Sequence, residues 1–232
     1  MMSLPSILVL GFLLGMRHAT DADHVVAVST IVSRDRTLRG AARIGSLWGA
    51  GHTLTVLLLG GAIVLFDLVI PPRLGLALEL AVGVMLVILG VLAVRARDTG
   101  DAHGDAHAVI ARADRGLRSR RGYALLRPLL VGVVHGLAGS AAVTLLVLGS
   151  IRDPRWAVAY LALFGAGTVA GMVLITTALA LPLAAATGAF TRASRWLSLA
   201  AGVASVVLGA LLVYRIGFVD GLFTTHPRWI PG

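Results

Sequence analysis

Six apolar runs divide this chain, and they leave little choice of fold. They cover residues 4–33, 45–66, 74–94, 126–150, 157–186 and 194–218. Each exceeds the roughly 20 residues that a helix needs to cross the hydrocarbon core of a bilayer. Backbone groups in lipid must be satisfied within their own segment, so every run is expected to be helical. The reading is an all-α, polytopic membrane protein with six transmembrane helices. Hydrophobic residues make up 57% of the 232 positions, which leaves no room for a separate soluble domain. The start, Met1-Met2-Ser3, lacks the basic residues of a secretory signal, so the first run is expected to be a retained helix.

The charges set an orientation. All 20 basic residues are arginine, and the formal net charge is +9. The loops after the first, third and fifth runs hold fourteen of them, the opposite side holds five, and Arg17 lies within the first run. Positive residues favour the cytoplasm, so these loops are placed inside and both termini outside. Without a soluble basic domain, the charge argues against a nucleic-acid partner; the lipid bilayer is the partner expected. The chain then divides into a first three-helix repeat (1–95), a cytoplasmic loop (96–125), a second three-helix repeat (126–219) and a tail (220–232). The loop carries Asp101, His103, Asp105 and His107, then the basic stretch 115–121. That tract can hold metal transiently. It can equally be a solvated linker whose arginines meet anionic lipid and anchor topology.

The halves resemble one another. Gly15-Met16-Arg17-His18 aligns with Gly132-Val133-Val134-His135, and Leu47-Trp48-Gly49-Ala50-Gly51-His52 with Leu163-Phe164-Gly165-Ala166-Gly167-Thr168, at nearly one offset. With three helices in each half, the second enters from the opposite side. This is the 3+3 inverted repeat common among secondary transporters, whose sites lie near the repeat interface. The competing explanation is chance likeness between Gly/Ala-rich helices.

One stretch breaks the apolar pattern. Arg17-His18-Ala19-Thr20-Asp21-Ala22-Asp23-His24 places five ionisable groups inside the first run. A single Asp or Arg at the centre of a membrane helix costs roughly 2.5–3.5 kcal/mol on insertion scales, so the cluster needs a compensating reason. A bound cation, a proton relay and a polar knot between helices all supply one. On a regular helix His18, Asp21 and His24 share a face, and Arg17 can pair with Asp21. Asp23 falls off that face, so either it meets another helix or the segment is unwound there. His24, His52 and His135 lie at comparable depth, roughly 10–14 Å from the cytoplasmic ends of their runs.

The chain has no cysteine, so any metal site must use imidazole, carboxylate, carbonyl or water. Imidazole with carboxylate suits borderline divalent ions such as Ni²⁺, Co²⁺ and Zn²⁺. The candidate ligands are His18, Asp21, Asp23, His24, His52 and His135. His52 and His135 also sit among small residues, where an imidazole can serve only to hydrogen-bond between helices. Thr53, Thr55, Ser140, Thr144, Thr168, Thr176 and Thr177 can line a path or bond back to their own helices. Gly165, Gly167 and Gly171 suggest tight packing or a hinge. Glu79 can attract cations or pair near the interface, and Trp48, Trp156 and Trp196 read as interface anchors.

The motif at residues 17–24, followed by Leu47-Trp48 and Gly51-His52-Thr53, resembles the signatures of the nickel/cobalt transporter (NiCoT) family. The resemblance covers residues 15–56 and implies a permease for Ni²⁺ or Co²⁺ with His18, Asp23, His24 and His52 in its functional set; since Asp23 lies off the shared face of a regular helix, it also implies a distortion of the first helix near Asp21–Asp23. The second half departs: His135-Gly136-Leu137-Ala138-Gly139-Ser140 stands where an acidic motif is expected and looks more like urease-accessory nickel permeases. Six runs rather than eight is a further departure. The combined expectation is a non-enzymatic secondary transporter of the cytoplasmic membrane. It carries a divalent transition-metal ion, nickel first, as substrate rather than cofactor. A metallochaperone or a urease or hydrogenase maturation system is the expected partner. The alternatives are a membrane-embedded His/Asp metalloenzyme and a metal-delivery accessory protein for an enzyme such as urease.

Overall fold

The computed structural model describes residues 4–32, 37–66, 68, 70–95, 121–137, 151, 153–184 and 190–229. Among these residues the chain forms α-helices and no strand. The helices are α1 (Leu4–His18), α2 (Ala22–Val32), α3 (Leu38–Phe66), α4 (Pro72–Arg95), α5 (Arg121–Leu137), α6 (Pro154–Ala184) and α7 (Phe190–Tyr214), the last running into a π-helical turn (Arg215–Val219). Four stretches are long and apolar enough to cross a membrane: Leu38–Phe66, Pro72–Arg95, Pro154–Leu181 and Trp196–Val219. The other apolar helices are shorter, at 10–17 residues.

The first apolar run is therefore not one helix. It breaks between α1 and α2 at Ala19, Thr20 and Asp21, two residues before the expected position. Ala19 N–H still reaches the Gly15 carbonyl at 3.2 Å, but Thr20 and Asp21 switch to carbonyls three residues back, at 2.8 and 3.0 Å. The Thr20 hydroxyl also donates to the Arg17 carbonyl at 2.6 Å, competing for the end of α1. Asp21 then serves as N-cap: its carbonyl accepts from Val25 at 3.0 Å and starts α2. Asp23 falls in the first turn of α2, where the helix dipole favours a carboxylate.

α3 and α6 form the central pair; α1 lies on α6, α5 on α3, and α4 on α7. α2 rests against α7, α4 and α6. Close approach rather than bulky interdigitation holds these pairs. A Cβ at Gly15 would overlap the Phe164 carbonyl, and one at Gly167 the Phe12 carbonyl, which fixes α1 on α6. A Cβ at Gly132 would overlap the Trp48 carbonyl, and one at Gly51 the Leu129 carbonyl, which fixes α5 on α3. Gly49 meets the Val169 backbone across the central pair, Gly165 meets Thr53, and Gly171 packs against Ala19. Here Gly165, Gly167 and Gly171 serve packing. On the far side, Gly83 and Gly90 of α4 face Gly209 and Gly202 of α7, and Ser205 donates to the Leu86 carbonyl at 2.8 Å. Small residues that let helix backbones approach are the usual means of association where lipid removes the hydrophobic drive.

Beyond the π-turn the chain folds back. Asp220, Leu222 and Phe223 N–H groups return to the carbonyls of Arg215, Ile216 and Gly217, and Gly221 takes a left-handed φ of 81° to make the bend. Trp229 then stacks over Gly75 of α4, and its indole N–H donates to Glu79 Oε1 at 2.8 Å. Glu79 is thus a paired residue. Trp156 and Trp196 are 41% and 59% exposed. Trp48 corrects the expectation of an interface anchor: it is fully buried, because its segment start continues back to Leu38 and places it inside the bundle. The tract at 101–107, and Ser140 and Thr144, lie outside the described residues, and α5 begins at Arg121, inside the stretch expected to be loop.

Candidate metal centre

Four of the six candidate ligands meet as buried imidazoles. His18 ends α1, His24 lies in the first turn of α2, His52 is midway along α3, and His135 is near the end of α5. Ring centroids lie 4.6 Å apart for His18 and His24, 5.0 Å for His18 and His52, 5.3 Å for His24 and His52, and 4.8 Å for His24 and His135. None of the four is more than 7% exposed. The helix break makes this possible. It separates His18 and His24 onto two helices and still lets both rings point into the space beside α3.

The two carboxylates take different parts. Asp21 Oδ2 lies 2.8 Å from His18 Nδ1 and is 45% exposed. Asp23 Oδ1 lies 3.2 Å from His24 Nδ1, while its Oδ2 lies 3.6 Å from His135 Nε2. An ionised carboxylate only accepts, so the contacts to His18 and His24 each require a donating Nδ1–H. That leaves the lone pair of His18 and of His24 on Nε2. Among the described residues, both Nε2 atoms and both nitrogens of His52 are buried without a hydrogen-bond partner. A carboxylate fixing the outer nitrogen of an imidazole whose inner nitrogen is free is the arrangement that surrounds protein-bound metals.

Two groups of three residues have ligand atoms all within 4.8 Å of one another: His18, His24 and His52, and Asp23, His24 and His135. Asp21 belongs to neither. It orients His18, and the expected Arg17–Asp21 ion pair is absent among the described residues, with Arg17 exposed. At the end of α1 the chain has already left helical geometry, so the four-residue spacing no longer brings the two side chains together. The hydroxyls that were candidate path residues are mostly tied to carbonyls. Thr168 and Thr176 bond back one turn at 3.0 and 2.8 Å. Thr53 bridges to the Gly165 carbonyl at 3.0 Å, and Thr55 bonds to Gly51 at 3.0 Å and Val133 at 3.3 Å.

One residue at the centre escaped the sequence reading. Trp48 lies 5.0 Å from the His135 ring and 6.4 Å from the His24 ring, and its indole N–H has no hydrogen-bond partner in this structure. The signal was available, since Trp48 stands one turn before His52 and so shares its face.

No protein-family model and no solved structure matches the chain. The urease accessory protein UreH of Bacillus sp. (strain TB-90) is 35% identical over 224 residues, covering 94% of this chain and 95% of that protein. The similarity spans both halves, so the urease-accessory likeness expected of the second half extends over nearly the whole length. It does not place the chain in the NiCoT family specifically. Identity at that level across almost all of both proteins is enough to conclude that the chain belongs to the family of the urease accessory protein UreH.

Proposed function

We propose that this membrane protein is a permease for a divalent transition-metal ion, Ni²⁺ before Co²⁺, and that the imidazole cluster is the ion's binding site on its path. The single observation that carries the proposal is the set of buried imidazole nitrogens without partners among the described residues, gathered from three helices, two of the imidazoles being held by carboxylates. Burying polar groups unpaired is unfavourable by roughly 1–3 kcal/mol each, so an arrangement that repeats it calls for a ligand. Imidazole and carboxylate together suit nickel, cobalt and zinc better than a hard ion such as Mg²⁺. The likeness to a urease accessory protein favours nickel and a urease maturation system as the receiver.

The architecture we propose is six spans in two inverted three-helix repeats. α1 with α2 would count as the first span and α5 would begin the fourth. Reciprocal contacts support it. Gly15 against Phe164 has its counterpart in Gly132 against Trp48, and Gly167 against Phe12 in Gly51 against Leu129. His18 and His135 hold equivalent places in the two halves. Alternating access would then rock one repeat against the other around the site. The membrane is proposed to be the cytoplasmic one, with both termini outside.

The test is uptake of radioactive nickel into proteoliposomes. Wild-type protein should accumulate the ion, whereas His18→Ala and Asp23→Asn should not; uptake indifferent to both substitutions would refute the proposal. Because the chain lacks cysteine, single cysteines at Gly104 and Gly232 give the topology directly. Impermeant maleimide applied to intact cells should label the second and not the first.

A further inference from the structure

His24 is the hub of the cluster. Among the described residues it contacts all three other imidazoles, whereas the only imidazole in ring contact with His135 is His24. It is also the one residue common to both ligand groups. One group offers three neutral imidazoles, and the other replaces two of them with Asp23 and His135. Asp23 therefore has two available parts: it orients His24 when the ion sits among the imidazoles, and it is itself a ligand when the ion sits beside His135.

Building on the permease reading, we propose that the cluster comprises two overlapping metal positions that share His24, so that the chain holds one ion at a time and passes it between Asp23/His24/His135 and His18/His24/His52. A shared ligand makes the positions mutually exclusive. It also keeps His24 a ligand at both positions, so that the ion passes between donor sets that overlap. The two positions draw on different halves of the chain: His135 comes from the second half, and His18 and His52 from the first. Movement between them follows the interface along which the repeats would rock. The Asp23 position carries a formal negative charge and the three-imidazole position does not. A dication is thus held at two unequal stations rather than in one deep trap.

The experiment is equilibrium dialysis of the detergent-solubilised full chain against Ni²⁺, without any transport step. Wild type should bind one ion per chain. His52→Ala and His135→Ala, each removing one position, should each still bind one ion; because exclusive positions add in the wild-type association constant, the variant that keeps the tighter position should lose no more than about 2-fold in affinity and the other should lose more. His24→Ala and the His52/His135 double variant should lose binding by far more. Each single change is also made to Gln, and circular dichroism reports folding, so that a collapsed Ala variant does not decide the result. Two ions per wild-type chain would overturn the proposal. So would complete loss of binding in folded forms of either single variant, which would mean one undivided site, or retention in His24→Ala, or no binding by wild type. The predicted binding pattern in a protein that moves no nickel across a vesicle would uphold the two positions and remove the permease reading alone.

Discussion

Among the described residues, the polar cluster around Glu79 and the one around His24 are built on opposite principles. Toward the N-terminal end of α4, Glu79 accepts from the Trp229 indole at 2.8 Å, and Arg215 lies 3.6 Å from Asp220 at the surface. Acid meets donor, and the arrangement closes on itself, pinning the returning tail to α4. Around His24, both nitrogens of His52 and the Nε2 atoms of His18 and His24 are buried with no hydrogen-bond partner among the described residues. Yet the outer nitrogens of His18 and His24 are held by carboxylates. A self-satisfied network stabilises a fold. A network satisfied on its outer side and open on its inner side is preorganised for something not supplied by the protein.

Substitutions in the two clusters should therefore separate stability from metal binding. The largest effect is expected from His24→Ala, which removes the ligand common to both groups. Nickel affinity in dialysis should fall by more than the roughly 10–100-fold that losing an outer-shell partner costs, with helical content unchanged. Asp21→Asn comes next. Asp21 touches His18 but belongs to neither ligand group, so affinity should fall by about 10–100-fold while the number of ions bound per chain stays the same. No change would make the Asp21–His18 contact incidental.

Smaller effects should appear in stability. Gly132→Ala sets a methyl against the Trp48 carbonyl, in the pair that carries both Trp48 and His52 toward His135. A loss of about 1–3 kcal/mol is expected, read as a lowered unfolding midpoint in detergent, and nickel affinity should fall with it because the ligands sit on the displaced helices. Trp229→Phe removes the donor to Glu79. It should lower stability by about 1 kcal/mol and leave nickel affinity untouched. If Trp229→Phe weakened nickel binding as much as Asp21→Asn, the division between the two clusters would fail.

How far the sequence carried this reading differs from element to element. Helicity was forced by the length of the apolar runs, and the runs agree with α3, α4, α6 and α7 to within a few residues at most ends. Depth alone brought His24, His52 and His135 to one level, and the folded chain puts their rings in one place. The break was foreseen because the family resemblance counts Asp23 as functional although it did not fit the face of a regular helix. Its position was not, because it depends on Thr20 and Asp21 competing for carbonyls at the end of α1, which apolar periodicity does not register. Arg17 was paired with Asp21 on helical spacing that the break abolishes. Trp48 was assigned to the interface from its place near the start of an apolar run. The helix in fact begins seven residues earlier, since Leu38 to Ile44 includes arginines that an apolar window excludes.

The most direct measurement is nickel K-edge X-ray absorption on the purified, nickel-loaded chain. Wild type should show the multiple-scattering pattern of at least two imidazole ligands. That pattern should disappear in His24→Ala, where both groups lose their common member. A nickel ion coordinated only by oxygen, or an imidazole signal that survives His24→Ala unchanged, would contradict the claim that these unpartnered histidines form the ion's site.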